Sequence, residues 1–134
     1  MKENPDFQKF KRMTECLPNL GEITTAGGNN RWVEIEAGQG TTFMFGLFRT
    51  RDMAVARAFL SAGSTIEDHQ HKEAEWLFVY SGEMELTILD KKQRYKKGDC
   101  CHIKPKLPHK AEFPVDTWLL AVTMPAAEGY PHAP

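Results

Sequence analysis

Apolar and polar residues alternate in short runs along most of this chain, and glycine or proline interrupts many of these runs. Alternation with a period of two is typical of a β-strand with one buried face. From residue 31 onward the pattern predicts nine strands, at 31–37, 42–48, 53–60, 75–80, 84–89, 93–96, 100–103, 109–113 and 118–124. Many short strands at this spacing predict an all-β sandwich or barrel.

The first thirty residues show a different pattern, with Phe7, Phe10 and Leu17 near one face of a helix. Asn4 before Pro5 resembles an N-cap followed by proline in the first helical turn. We therefore expect a short helix over residues 5–17. The 134 residues fit one domain, with a helix and arm at 1–30, a β-barrel at 31–124 and an irregular tail at 125–134.

The predicted strand at 75–80 is apolar on both faces. If Leu77 and Val79 face the interior, Trp76, Phe78 and Tyr80 face outward. Three aromatic side chains in water would form an unusually large exposed patch. We expect a second sheet, the N-terminal helix or another subunit to cover them, and a homodimer is the favoured assembly.

Composition excludes several classes of function. The formal net charge is −1, with acidic and basic residues interspersed, so nothing indicates a nucleic-acid surface. No apolar run approaches the ~20 residues of a membrane span, and the first residues lack a secretory stretch. Three cysteines without regular spacing do not form a disulfide framework. These features predict a cytoplasmic protein.

Two histidines carry the clearest chemistry in the sequence. His69 and His71 stand two residues apart, so in a strand both side chains point the same way. Glu75 can reach the same place if the chain turns after His71, and His109 is a fourth candidate. Imidazoles and a carboxylate together suit a divalent transition metal: iron, manganese, nickel, zinc, cobalt or copper.

Two motifs resemble those of the cupin superfamily. The first is Gly63-x5-His69-x-His71-x3-Glu75-x6-Gly82, and the second runs from Gly98-Asp99 to Pro108-His109. Lys104 and Lys106 stand where cupins usually carry proline and glycine. The resemblance implies a double-stranded β-helix (cupin or jelly-roll) barrel that is often dimeric. It also implies that His69, His71, Glu75 and His109 converge on one metal in the barrel mouth.

Three further residues have both a functional and an ordinary interpretation. His102 either lines the pocket as an acid–base group or is a partly buried polar residue. Arg57 stands among apolar residues, and it either clamps a substrate carboxylate or lies at a half-exposed edge. Glu73 shares the strand parity of His71, and we expect it to face solvent or to lie behind the ligands.

Together these features favour a small metalloenzyme that acts on a small organic metabolite. Dioxygenase chemistry is preferred, because three histidines and a glutamate leave open positions on a six-coordinate metal. Lyase, decarboxylase or isomerase chemistry would use the same metal as a Lewis acid. In this scheme Glu75 and His102 are the catalytic residues, and Arg57 binds substrate. The alternative is a non-catalytic ligand-binding or sensor module.

Overall fold

The computed structural model describes residues 33–128 and residue 130. Within this part of the chain there are ten β-strands and no helix, and no helix long and apolar enough to cross a membrane occurs there. The helix expected at 5–17 lies outside the described residues. The strands are β1 (Val33–Ile35), β2 (Thr42–Arg49), β3 (Ala54–Leu60), β4 (Ser64–His69), β5 (Ala74–Ser81), β6 (Glu83–Ile88), β7 (Lys91–Lys96), β8 (Cys100–Ile103), β9 (His109–Phe113) and β10 (Thr117–Met124).

The strands form two antiparallel sheets. One sheet has six strands in the order β1-β2-β3-β10-β5-β8, and the other has four in the order β4-β9-β6-β7. Every strand predicted from the sequence corresponds to an observed strand. The pattern did not indicate β4, because its sequence is mostly polar and only Ser64 within it is buried. The all-β prediction is confirmed.

The two sheets enclose one apolar core. Alternate residues of β3, β5, β6 and β10 meet there, as a period of two requires. Leu60, Met84 and Ile103 are fully buried, and Phe113 of β9 packs into the same cluster. Each strand therefore has an inner face, and only side chains on that face reach the interior.

Two glycines of the first motif occupy tight turns with left-handed backbone. Gly63 has φ 85° and Gly82 has φ 90°, which glycine adopts without steric cost. They differ in their surroundings. A Cβ atom on Gly82 would lie 2.4 Å from the carbonyl oxygen of Asp116, whereas a Cβ on Gly63 would meet no atom of the described residues within 4 Å. Gly82 therefore permits a close approach between two chain segments, and Gly63 only permits a turn.

Candidate metal centre

A β-bulge in β4 directs His69 toward the interior. Ile66 pairs with Ala111 of β9, but the next pair is His69 with His109, so Glu67 and Asp68 together oppose Lys110. A bulge of this kind shifts the following side chain to the other face. Without it His109 would pair with Asp68. With it, the rings of His69 and His109 lie side by side with centroids 4.2 Å apart.

His71 lies just beyond β4, in the loop that leads to β5. The backbone N–H of Lys106 donates to the carbonyl of His71 at 2.7 Å, which ties this loop to the loop before His109. Lys106 has φ 63°, the left-handed conformation that a glycine would adopt more easily. The lysine thus preserves the loop geometry, and the ring of His71 lies 5.1 Å from that of His109.

The three imidazoles are oriented by the same type of hydrogen bond. Nδ1 of His69, His71 and His109 lies 2.8, 2.9 and 2.8 Å from the carbonyl oxygens of Glu67, Glu73 and Leu107. A carbonyl only accepts, so each Nδ1 carries the proton and each Nε2 keeps a free lone pair. The ligand atoms of the three rings lie within 4.8 Å of one another, a separation that one metal ion can bridge.

Glu75 faces two of these rings from β5. Its Oε1 lies 3.7 Å from Nε2 of His71 and 3.7 Å from Nε2 of His109. Tyr130 donates a hydrogen bond to the other oxygen, Oε2, so Oε1 is left for the histidine side. The structure therefore brings together all four residues that the sequence nominated as ligands.

The surroundings of the site shift the pKa values of His71 and His109 in opposite directions. The interaction with Glu75 raises the pKa of His71 above its usual value. Burial lowers the pKa of His109. Burial alone would raise the pKa of Glu75, but its contacts with His71 and Tyr130 outweigh this and hold the pKa below its usual value. The site thus favours an ionised carboxylate beside a neutral, buried His109.

The site closes one end of a cavity of about 380 Å³ between the two sheets. Most of its wall is aliphatic, and the polar groups gather at the histidine end. Arg49 donates to the carbonyls of Ala127 at 2.6 Å and Tyr130 at 3.1 Å, which holds the C-terminal segment against β2. The lining includes Ile35, Thr42, Met44, Leu60, Ile66, Leu77, Leu86, Leu119, Ala121, Glu73, Glu128 and Tyr130.

Two nominated residues do not line this cavity, which corrects the sequence-based expectation. Cys101 and Ile103 face inward from β8, so His102 between them faces outward, where its ring stacks on Trp76 at 4.6 Å. Ala56 and Ala58 face inward from β3, so Arg57 is buried on the opposite face of the sheet. Neither side chain has a route to a ligand in the cavity.

Glu73 and Tyr130 also line the cavity, and the sequence did not point to Tyr130. Glu73 is only 5% exposed, so of its two expected positions the one that faces solvent is excluded. It lies beside the candidate ligands, in keeping with the strand parity that it shares with His71. Tyr130 reaches Glu75 from 55 residues away, and no local pattern in the sequence marks such a contact.

Fold and site together define a double-stranded β-helix with a histidine cluster at one end of its interior cavity. The Cupin domain family model matches residues 57–124, just over half of the chain. The chain therefore belongs to the cupin family.

Two curated relatives are about one third identical to this chain over the aligned residues. Oxalate decarboxylase of Bacillus subtilis is 32% identical in an alignment of 68 residues that covers 47% of this chain and 18% of that protein. An uncharacterized protein of Methanocaldococcus jannaschii is 31% identical over 67 residues, 49% of this chain and 54% of that protein. The chain thus spans less than two thirds of the length of either relative.

Solved structures confirm the fold. KdgF from Halomonas sp. superposes with a TM-score of 0.67 at 20% identity, covering 74% of this chain and 89% of that one. A Thermotoga maritima protein described as a predicted oxalate decarboxylase gives a TM-score of 0.63 at 26% identity, covering 69% and 90%. The resemblance to cupins inferred from the two motifs is confirmed.

The residues present fit a divalent transition metal. Nε2 of His109 is buried and has no hydrogen-bond partner in the part of the chain that the structure describes, which is costly unless something binds there. Three neutral imidazoles with oriented lone pairs, and a carboxylate beside them, are a donor set that such metals accept. His69, His71 and His109 could therefore hold a metal ion, with Glu75 as the additional ligand expected from the motif.

Metal affinity should fall as the pH drops below neutrality. The raised pKa of His71 means that protons compete for its Nε2 above the ordinary histidine pKa of about 6.5, whereas the lowered pKa of His109 delays its protonation. Each required deprotonation costs about tenfold in affinity per pH unit below the relevant pKa. Zn²⁺ affinity, measured by chelator competition from about pH 7.5 to 4.5, should reveal this slope. A flat profile would contradict a site of three histidines.

Proposed function

We propose that this protein is a metal-dependent enzyme that acts on a small organic metabolite, with dioxygenase-type chemistry preferred. The observation that carries the proposal is the convergence of three oriented Nε2 atoms at one end of a largely aliphatic cavity. A divalent metal bound there supplies Lewis acidity and, where it is redox-active, a place for dioxygen to react. The metal could be iron, manganese, nickel, zinc, cobalt or copper.

The protein's own residues would perform three tasks in such a reaction. The aliphatic wall, including Leu77 and Leu119, would exclude water around the substrate. Tyr130 would hold Oε2 of Glu75, so that Oε1 stays on the histidine side. The negative charge of Glu75 would lower the net charge of the site and favour a more oxidised metal.

A lyase is the second candidate, because the chain is 32% identical over 68 residues to oxalate decarboxylase of Bacillus subtilis. Both candidates use the same histidines and the same cavity. They differ in what is consumed and released: a dioxygenase takes up dioxygen with its substrate, whereas a decarboxylase releases carbon dioxide.

The test is turnover by protein reconstituted separately with Fe²⁺ and Mn²⁺. We expect oxygen uptake with at least one member of a panel of small carboxylic acids, alcohols and amines. Glu75→Gln should reduce both turnover and metal content. Carbon dioxide release without oxygen uptake would favour the lyase. Tight reversible binding of one compound without any turnover would favour a ligand-binding or sensor module.

We also propose that the protein is a homodimer. Trp76 is half-buried on the outer face of β5, and Phe78 beside it is 39% exposed. Apolar surface of this kind on a small domain is often an interface between subunits. Light scattering should give twice the chain mass of 15.2 kDa at micromolar concentration, and Phe78→Lys should lower it. A species of single-chain mass for the unsubstituted protein would contradict the proposal.

A further inference from the structure

Glu73 is a buried carboxylate that the histidine cluster does not use. It is 5% exposed, it lines the cavity, and its Oε2 has no hydrogen-bond partner among the described residues. Its backbone carbonyl accepts the Nδ1 proton of His71, so the main chain at Glu73 is fixed by the site itself. The side chain is therefore held on the cavity wall next to the candidate metal centre.

A buried carboxylate oxygen without a hydrogen-bond partner, such as Oε2 of Glu73, is unfavourable, because it has lost its hydrogen bonds to water. A donor from a ligand in the cavity would restore them. A hydrogen bond from a charged donor, such as an ammonium group, is roughly twice as strong as one between neutral groups. Glu73 thus creates a preference for ligands that present an N–H or O–H group at this position.

The other charged residues that line the cavity also favour a hydrogen-bond donor over an anionic group. Among the described residues that line it, none is a lysine or an arginine, and three are glutamates: Glu73, Glu75 and Glu128. Arg57 lies on the far face of the sheet and cannot serve. A ligand with two carboxylates would find no protein cation in the described lining, and one of its carboxylates would face Glu73.

We infer that the cavity takes a small, largely apolar molecule whose polar end donates a hydrogen bond to Glu73, as an amine or a hydroxyl does, and that it discriminates against dicarboxylates. The inference rests on the proposed function, because the polar end of the ligand then lies beside the metal. Oxalate, the substrate in the name of the similar oxalate decarboxylase, would then be a poor ligand for this chain.

The test compares three ligands that share one apolar body: benzylamine, benzyl alcohol and benzoate, with oxalate as the dicarboxylate. Calorimetric titrations use the full chain, both Zn²⁺-loaded and chelator-treated. Glu73→Gln and Glu73→Leu remove the charge, and Glu112→Gln is the matched control. Glu112 lies on β9, is exposed, and forms its ion pair with Lys92 at 3.6 Å away from the cavity. Thermal unfolding and Zn²⁺ content confirm that each variant is folded.

In the unsubstituted protein we expect benzylamine and benzyl alcohol to bind, and oxalate to bind more weakly than benzylamine. Both Glu73 variants should bind benzylamine at least about tenfold more weakly than the unsubstituted protein does. Their loss of affinity for benzyl alcohol should be smaller, because the ammonium group makes the stronger hydrogen bond. The same variants should leave the affinity for benzoate unchanged or raise it. Glu112→Gln should change the affinity for neither benzylamine nor benzoate. Equal losses for benzylamine and benzoate, or tighter binding of oxalate than of benzylamine, would overturn the inference.

The design separates this inference from the proposed function. The preference for donors is measured in chelator-treated protein too, so it stands even if no metal-dependent turnover is found. Conversely, full Zn²⁺ uptake together with a preference for benzoate would overturn the inference and leave the metal site intact.

Discussion

Replacing His109 with alanine should abolish stoichiometric metal binding, with a loss of affinity of more than about 100-fold. Removing a residue that only supports a metal-binding side chain lowers metal affinity about 10–100-fold, and removing a metal-binding side chain itself should lower it more. His109 is 3% exposed, and its Nε2 forms no hydrogen bond with any described residue. Elemental analysis of protein purified without chelator, together with Zn²⁺ titration of the metal-free form, measures the loss.

His102→Ala is the matched control, because it removes the same side chain from the neighbouring part of the fold. His102 stacks on Trp76 on the outer face of the sheet, so its loss should leave metal content unchanged. His71→Ala should behave like His109→Ala. Full occupancy in both the His71 and the His109 variants would refute the assignment of the site.

Gly82→Ala should destabilise the fold by about 2–5 kcal/mol. A non-glycine residue at positive φ costs about 1–2 kcal/mol, and overpacking adds about 1–3 kcal/mol. The new methyl group would lie 2.4 Å from the carbonyl oxygen of Asp116 and 2.7 Å from Cα of Thr117, so the backbone must shift. The free energy of unfolding in urea measures the effect.

Gly63→Ala separates the two causes of this destabilisation. Gly63 has nearly the same φ, but a Cβ atom there meets nothing within 4 Å. Its substitution should therefore cost only the conformational part, about 1–2 kcal/mol. If the two variants lose equal stability, the close approach between Gly82 and the turn at Asp116 carries no energetic weight.

The strands could be predicted because their residues alternate between a buried and an exposed face. β9 is the clearest example: His109, Ala111 and Phe113 are buried, and Lys110 and Glu112 are exposed. β4 breaks the rule, since it pairs through its backbone while its side chains are mostly polar. Strand pairing of this kind leaves no hydrophobic signal in the sequence.

The convergence of His69, His71 and Glu75 could be predicted for a different reason, namely their fixed spacing. The sequence did not show which face of the sheet Arg57 and His102 occupy, because polar residues within apolar strands can face either way. The burial of their neighbours decides the question: Ala56 and Ala58 flank Arg57, and Cys101 and Ile103 flank His102. The contact between Tyr130 and Glu75 depends on the path of the last segment, which no short-range pattern encodes.

The bulge at Glu67 and Asp68 makes the site depend on the register of the chain as well as on residue type. With both residues present, a regular ladder between β4 and β9 would place Asp68 opposite His109 and turn His69 to the other face, and so dismantle the cluster. At this point of the sheet the most regular hydrogen-bonded ladder and the assembled histidine cluster are mutually exclusive, and the chain retains the irregular one.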